Sequence, residues 1–265
     1  MATCLEALDK WMTDRSSHDE TTVINMLFTL GEVCIVGIHP GVASRTAKLD
    51  VPEDVMALVQ RLVAPVPSDG DLSTIPSAVR AHAFVVLGKF CVRNRSVAKK
   101  CIGVFIRELS MQSGMSVVRN NVLVVLGDLC RQYTGLVDRY VPNMAMCLMD
   151  VDKAIRKNAL LLLTELLLER FIKWRGVLLL QFLAVLCDPE PDLVQLAKDT
   201  LFGLFAQRDN TLLPSNFVKA LFAFNGVVHA SATASTGATS IYTLPFARFG
   251  GSKGRRLRSV RGVQG

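Results

Sequence analysis

The chain has 265 residues, half of them apolar but only 7% aromatic, with 30 Lys and Arg against 23 Asp and Glu. That apolar content excludes long disorder over most of the chain, and the longest aliphatic run, Ala159 to Leu163, falls far short of the roughly 18–20 residues that cross a bilayer. The charge is unevenly placed: six bases and no acid lie in Gly226 to Gly265, so the remaining 24 bases nearly balance all 23 acids, net +1, in residues 1–225.

The opening stretch MATCLEALDKWMTDRSSHDE mixes acids and bases and has no apolar core of a secretory signal, so an intracellular location is expected. From Thr22 the apolar residues recur at helical spacing. The spacing predicts helices over Thr22–Ile35, Pro52–Leu62, Ser77–Cys91, Val97–Met111, Val117–Gln132, Leu136–Met149, Lys153–Leu168, Arg175–Leu186, Asp192–Ala206 and Pro214–Phe224. Residues 38–52 carry the Pro, Gly and Ser of a loop. Asp150-Val-Asp152 and Asp188-Pro-Glu-Pro-Asp192 supply N-cap acceptors and helix-stopping prolines, and Ser96, Ser116 and Ser215 occupy similar starts. No segment alternates with the period of a strand for more than a few residues. From Gly226 the helical register fails. The small-residue, Gly- and Arg-rich tail 226–265 reads as disordered.

Four of these segments align with one another: TVINMLFTLGEVC, SAVRAHAFVVLGKFC, SVVRNNVLVVLGDLC and KAIRKNALLLLTELL. An early Arg or Asn, an apolar stripe and then L-G-x-x-C recur. Arg80, Arg119 and Arg156 are 39 and 37 residues apart, and Gln195 follows Arg156 at 39. This period suits HEAT-like helix pairs and is too long for tetratricopeptide or ankyrin units. The expected fold is all-α: a HEAT-repeat α-solenoid of antiparallel helix pairs over 1–225, with the Leu/Val-rich second helices forming the inner row, followed by a disordered basic tail over 226–265.

Catalysis finds no support. P-loop, dinucleotide-binding, nucleophile-elbow and zincin motifs are all missing from the sequence. The seven Cys form no CxxC pair and read as reduced core residues; the four His are scattered. No enzyme activity, cofactor or metal is expected. Glu165 and Glu169 lie near Arg170 and Lys173 and read as a solvated face.

Two groups of bases stand out. Arg80, Arg119 and Arg156 read either as a register-holding ladder paired to turn carboxylates, with Asp150 or Asp152 serving Arg156, or as ligand contacts. Arg93, Arg95, Lys99 and Lys100 lie at one helix-to-helix junction, and Arg170, Lys173 and Arg175 at another. With Lys153, Lys157 and Arg131 they form one expected ridge, suited to phosphate-backbone contact or to plain solvation.

The segments VRNNVLVVLGDLC (Val118 to Cys130), YTGLVDRYVPN (Tyr133 to Asn143), IRKNALLLLTELL (Ile155 to Leu167) and RFIKWRG (Arg170 to Gly176) resemble the HEAT block of condensin D-type subunits. RFIKWRG with LCDPEPDLVQLA is similar to the condensin II version. The resemblance covers roughly Thr22 to Asn225, after which the family pattern stops. It implies a non-enzymatic scaffold that joins a kleisin and an SMC ATPase pair. It further implies a place in the nucleus and on mitotic chromosomes, a part in chromosome condensation, contact with DNA and chromatin, methylated histone tails included, and no membrane partner. The alternative is a generic HEAT adaptor for transport or signalling with no nucleic-acid role.

Overall fold

A computed structural model describes residues 2–36, 51–64, 75–111 and 115–225. The tail expected to be disordered, 226–265, and most of the expected loop, 38–50, lie outside the described residues. Among the described residues there is helix and turn but no strand. The chain divides into two compact units, Met1–Gln181 and Phe182–Gly265.

The first unit stacks helix pairs. Helices α2 (Glu20–Val36), α4 (Ser77–Arg93), α6 (Ser116–Gln132) and α9 (Lys153–Leu168) pack successively on one another as an inner row. Helix α3 (Glu53–Val63) packs on α4, α5 (Arg95–Ser110) bridges α4 and α6, and α8 (Val141–Met146) touches α5 and α9. Helix α1 (Ala2–Thr13), which the sequence reading did not assign, packs on α2 and α3 through buried Leu8 and Trp11.

Burial follows position in the stack. Helix α3 packs mainly on α4 and buries Val55, Leu58, Val59, Leu62 and Val63, the i, i+3, i+4, i+7, i+8 stripe of an amphipathic helix. Helix α4 has neighbours on several sides. It buries Val79, Ala81, Ala83, Phe84, Val86, Leu87, Phe90 and Cys91, so its apolar residues run around most of its surface. Phe84 meets Phe105 of α5 with ring centroids 6.0 Å apart and planes at 54°.

Several expected details differ. The helix over Leu136–Met149 is broken into α7 (Thr134–Val137), a 3-10 turn over Asp138–Tyr140, α8 and a second 3-10 turn over Cys147–Met149. Pro142, at the start of α8, has no N–H to donate and its ring would crowd the Asp138 carbonyl of a continuous helix. Ser96 does not cap α5. Asn94 does, its side chain accepting from the Ser96 and Val97 amides, and Ser96 lies inside the helix. Ser116, the first residue of α6, and Ser215 likewise lie inside their helices, the latter inside α13 (Leu212–Phe224). Asp152 caps α9 as expected, accepting from the Ala154 amide at 2.8 Å.

Helix α10 (Gly176–Val185) contains the boundary between the two units. In the second unit, α11 (Pro191–Lys198) continues into a π-helical stretch over Asp199–Phe205 and a last turn, α12 (Ala206–Arg208). The expected single helix is therefore widened in its middle. Thr200 Oγ1 donates to the Leu196 carbonyl there, a back-bond that competes with the regular ladder. Gln195 is exposed and bonds Asp199, so it does not repeat the buried arginine position.

Candidate partner-binding surfaces

The inner row repeats four levels of side chains, and each level has its own chemistry. At the start of the helices lie Arg80, Arg119 and Arg156, all buried. A buried guanidinium is tolerated only when it is paired and hydrogen-bonded. Arg80 Nη1 and Nη2 donate to the two carboxylate oxygens of Glu108 at 2.5 and 2.9 Å, and Nη2 also donates to the Val63 carbonyl at 3.3 Å. Arg119 grips Asp150 through Nε and Nη2, both at 3.0 Å. Arg156 donates from Nη1 to the main-chain carbonyls of Asp150 and Val151. Asp150 thus joins α6 to α9: its carboxylate serves Arg119 and its carbonyl serves Arg156. The expected turn carboxylate is present for Arg119. For Arg80 a glutamate inside helix α5 takes that place, and Asp152 is occupied as the α9 cap.

Two residues further on lie His82, Asn121 and Asn158. Asn121 Nδ2 donates to the Ala81 carbonyl of α4, and Asn158 Nδ2 to Asn120 Oδ1 of α6. These bonds tie α6 to α4 and α9 to α6, whereas His82 Nδ1 lies 2.8 Å from the Ala78 carbonyl of its own helix.

Next come Phe28, Val85, Val124 and Leu161, one per inner helix at the same register. Phe28, Val124 and Leu161 are exposed and Val85 is half-buried.

The fourth level follows the glycine slot: Glu32, Lys89, Asp128 and Glu165. Lys89 Nζ meets Glu32 at 2.5 Å and lies 4.6 Å from the Phe28 ring centroid. Arg131, one turn beyond Asp128, contacts Asp128, Glu165 and Glu169 at 3.4, 2.7 and 3.3 Å. Burial pulls the Arg131 guanidinium down; its carboxylates, Glu169 first, override this and hold it up. Glu165 and Glu169 are exposed, as a solvated face requires, and they also reach back to Arg131 of the preceding helix.

The expected single basic ridge is not formed. Arg131 is held at the C-terminal end of α9, whereas Lys153 and Lys157 lie in its first turns. A rise of about 1.5 Å per residue separates the two ends of this helix by about 24 Å. Two ridge members are already paired: Arg131 as above, and Arg175 with the Asp138 carboxylate. Arg170 is exposed in the residue after the α9 C-cap, with φ 62°. Lys173 is exposed.

Arg95, Lys99 and Lys100 do form a cluster. They occupy the first turns of α5, all exposed, with no acid in the first turn and no carboxylate partner among the described residues. Cations at a helix N-terminus oppose the macrodipole, so the placement concentrates positive potential instead of stabilising the helix. Arg93 departs from them. It ends α4 and turns its side chain into a groove between α4 and α6.

The sequence reading missed that groove and the Tyr133 hydroxyl, which donates to the Val92 carbonyl at 2.9 Å. A signal for the charge row was present: the residue after each slot glycine changes sign along the aligned copies. The thiols mostly follow expectation, with Cys34, Cys91, Cys101, Cys130 and Cys147 buried, but Cys187 is exposed. Among the described residues no group of three or more His, Cys, Asp or Glu is placed to hold a metal ion, and no helix is long and apolar enough to cross a membrane.

Comparison with known proteins adds a second line. Residues 20–109 match the family model described as condensin-2 complex subunit D3-like HEAT repeats, and residues 117–241 match that of the non-SMC mitotic condensation complex subunit 1. The second match runs past Asn225, where the family pattern was expected to stop. The chain is 37% identical over 227 residues to condensin-2 complex subunit D3-L of Xenopus laevis, 78% of this chain and 14% of that protein. It is 34% identical over 238 residues to condensin-2 complex subunit D3 of Mus musculus, 85% of this chain and 16% of that protein. Condensin complex subunit 1 of Homo sapiens matches at 31% over 132 residues, 50% of this chain and 9% of that protein. The chain thus spans about one-seventh of the length of the D3 relatives it matches.

Proposed function

Over residues 20–109 and 117–241 the chain belongs to the HEAT-repeat family of condensin D-type subunits, in its condensin-2 D3 form, and from that premise we propose that it is a non-enzymatic scaffold piece of a condensin II-type complex. It works in the nucleus and on mitotic chromosomes, where it contributes to chromosome condensation. Its partners are the kleisin and SMC subunits, together with DNA and chromatin, histones included. The packed inner row of α2, α4, α6 and α9, braced by the buried Arg80–Glu108 and Arg119–Asp150 pairs, supports the scaffold reading because it offers a stiff surface to partners.

The observation that carries the nucleic-acid part is the cluster Arg95, Lys99 and Lys100, three exposed bases without carboxylate partners among the described residues. Such bases bind the phosphate backbone, and each phosphate contact adds about 0.9 to the slope of log affinity against log salt on duplex DNA. Changing all three to Glu is expected to weaken duplex binding and flatten that slope by about 2–3. An unchanged slope removes DNA contact from this cluster. Co-purification of SMC and kleisin proteins with the tagged chain tests the scaffold reading separately, and their absence from the purified material sinks it.

A further inference from the structure

The C-terminal halves of α4 and α6 enclose a groove of about 490 Å3. Val85, Val92 and Val124 give it an aliphatic lining, and Val124 is 44% exposed, unusual for a valine in the middle of a packed helix row. Three cations border it, and two are already neutralised. Lys89 is held by Glu32, and Arg131 by Asp128, Glu165 and Glu169. Arg93 differs. It has no carboxylate partner among the described residues, and its Nε is cut off from solvent with no acceptor. Asp128, which also lines the groove, is taken by Arg131, so Arg93 is the lining cation whose charge is left for an incoming anion beside an aliphatic surface.

We propose that this groove is a docking site for a short extended peptide segment that places an acidic side chain against Arg93 and aliphatic side chains over Val85, Val92 and Val124. The register supports an extended chain. Phe28, Val85, Val124 and Leu161 hold one position on four successive inner helices. Packed helices are about 8–10 Å apart and an extended polyproline-II segment rises about 3.1 Å per residue with three residues per turn, so every third side chain faces the same way and meets the next helix. Nucleic acid fits the groove poorly. A phosphate backbone is bound by several unpaired cations in a row, and here one guanidinium stands beside an aliphatic floor. The inference rests on the groove alone and survives if the chain joins no SMC complex.

The test is selection of a phage-displayed random dodecapeptide library on the immobilised full chain, with the Val124→Glu chain used for counter-selection. Selected peptides are then synthesised, labelled and titrated by fluorescence anisotropy. The expected consensus carries Asp or Glu next to Leu, Ile or Val. Arg93→Glu and Val124→Glu are expected to weaken binding about tenfold or more, as for an anchor contact. Arg93→Lys retains most of the affinity. Helical circular dichroism checks that each variant folds, and Val92→Glu serves if Val124→Glu does not. Failure to select peptides that distinguish the chain from the groove variant overturns the proposal, as does a basic consensus or indifference to Arg93→Glu. Competition by a 20-base-pair duplex whose own binding is lost in Arg93→Glu reassigns the groove to nucleic acid.

Discussion

Val125 of α6 occupies the space that a Cβ on Gly88 of α4 would need, with both of its methyl carbons 2.6 Å from that position. Leu162 of α9 stands in the same relation to Gly127 of α6, its nearest methyl carbon also at 2.6 Å, and Val86 of α4 approaches Gly31 of α2 at 3.2 Å. The glycine of each L-G-x-x-C copy is therefore a notch for a branched side chain of the next inner helix. Gly88→Ala is expected to lower stability by about 1–3 kcal/mol through overpacking. Gly103, in the middle of α5 with open space around it, is the control: Gly103→Ala adds about 1 kcal/mol from helix propensity. Urea unfolding of both variants checks the contrast, and equal effects would rule out the notch.

Arg80 and Glu108 form a buried pair, and removing one partner strands the other. Glu108→Ala is expected to cost about 3–5 kcal/mol. Arg80→Met combined with Glu108→Leu costs less than either single change, because no unpaired charge is left in the core. A double-mutant cycle on the unfolding midpoint reads the coupling, and additive losses would mean that the pair does not act as a unit.

Arg170 closes α9. Its amide bonds the Leu167 carbonyl and the Phe171 amide bonds the Leu166 carbonyl, the double bond pattern of a Schellman cap whose left-handed residue is usually Gly. Arg170→Gly relieves about 1–2 kcal/mol of left-handed strain and adds back about 0.4–1 kcal/mol of unfolded-chain entropy, a net gain of about 0.5–1 kcal/mol. Arg170→Ala keeps the strain and gains nothing. Thermal melts in low and high salt separate this from a charge effect, since the backbone gain is independent of salt.

Burial pushes the Cys130 thiol up to about 11 and the Cys147 thiol up to about 12, with nearby Asp138 and Asp150 adding to the rise. In the unfolded chain both ionise near pH 8.5. The native state then holds protons that the unfolded state has lost, so stability is complete below about pH 8.5 and falls as pH climbs towards 11. Urea midpoints at pH 8 and pH 10.5 measure the fall. Cys130→Ala is expected to shallow it, and an equally steep fall in the Cys130→Ala/Cys147→Ala chain would assign it to other groups.

Much of the architecture was legible because helical pairs announce themselves locally. Apolar spacing placed α3 within one residue at each end, and the Asp150–Asp152 turn placed the start of α9. Misses arose where a local signal had a rival. Pro142 broke a helix whose apolar spacing continued through it, and Ser96 lost the α5 cap to Asn94, two residues earlier. Helix α1 lies before the first aligned copy, so the repeat carries no signal for it. At the surfaces, the identity of the basic residues was readable and their state was not. Arg131 and Arg175 looked as available as Arg95 and Lys99.

By itself the amino-acid order determined a row of paired helices, their period of 37–39 residues, the recurring buried arginine and the family to which they belong. The helices are written in residues within one or two turns of each other, and the period and the family in the repetition of those local patterns along the chain. Only the tertiary structure decided which bases are spent and which remain. Glu165 and Glu169 reach Arg131 across 34 and 38 positions, and Asp138 reaches Arg175 across 37. A charge is neutralised by whatever lies within a few ångströms of it, and along a stacked chain those neighbours lie one whole repeat away.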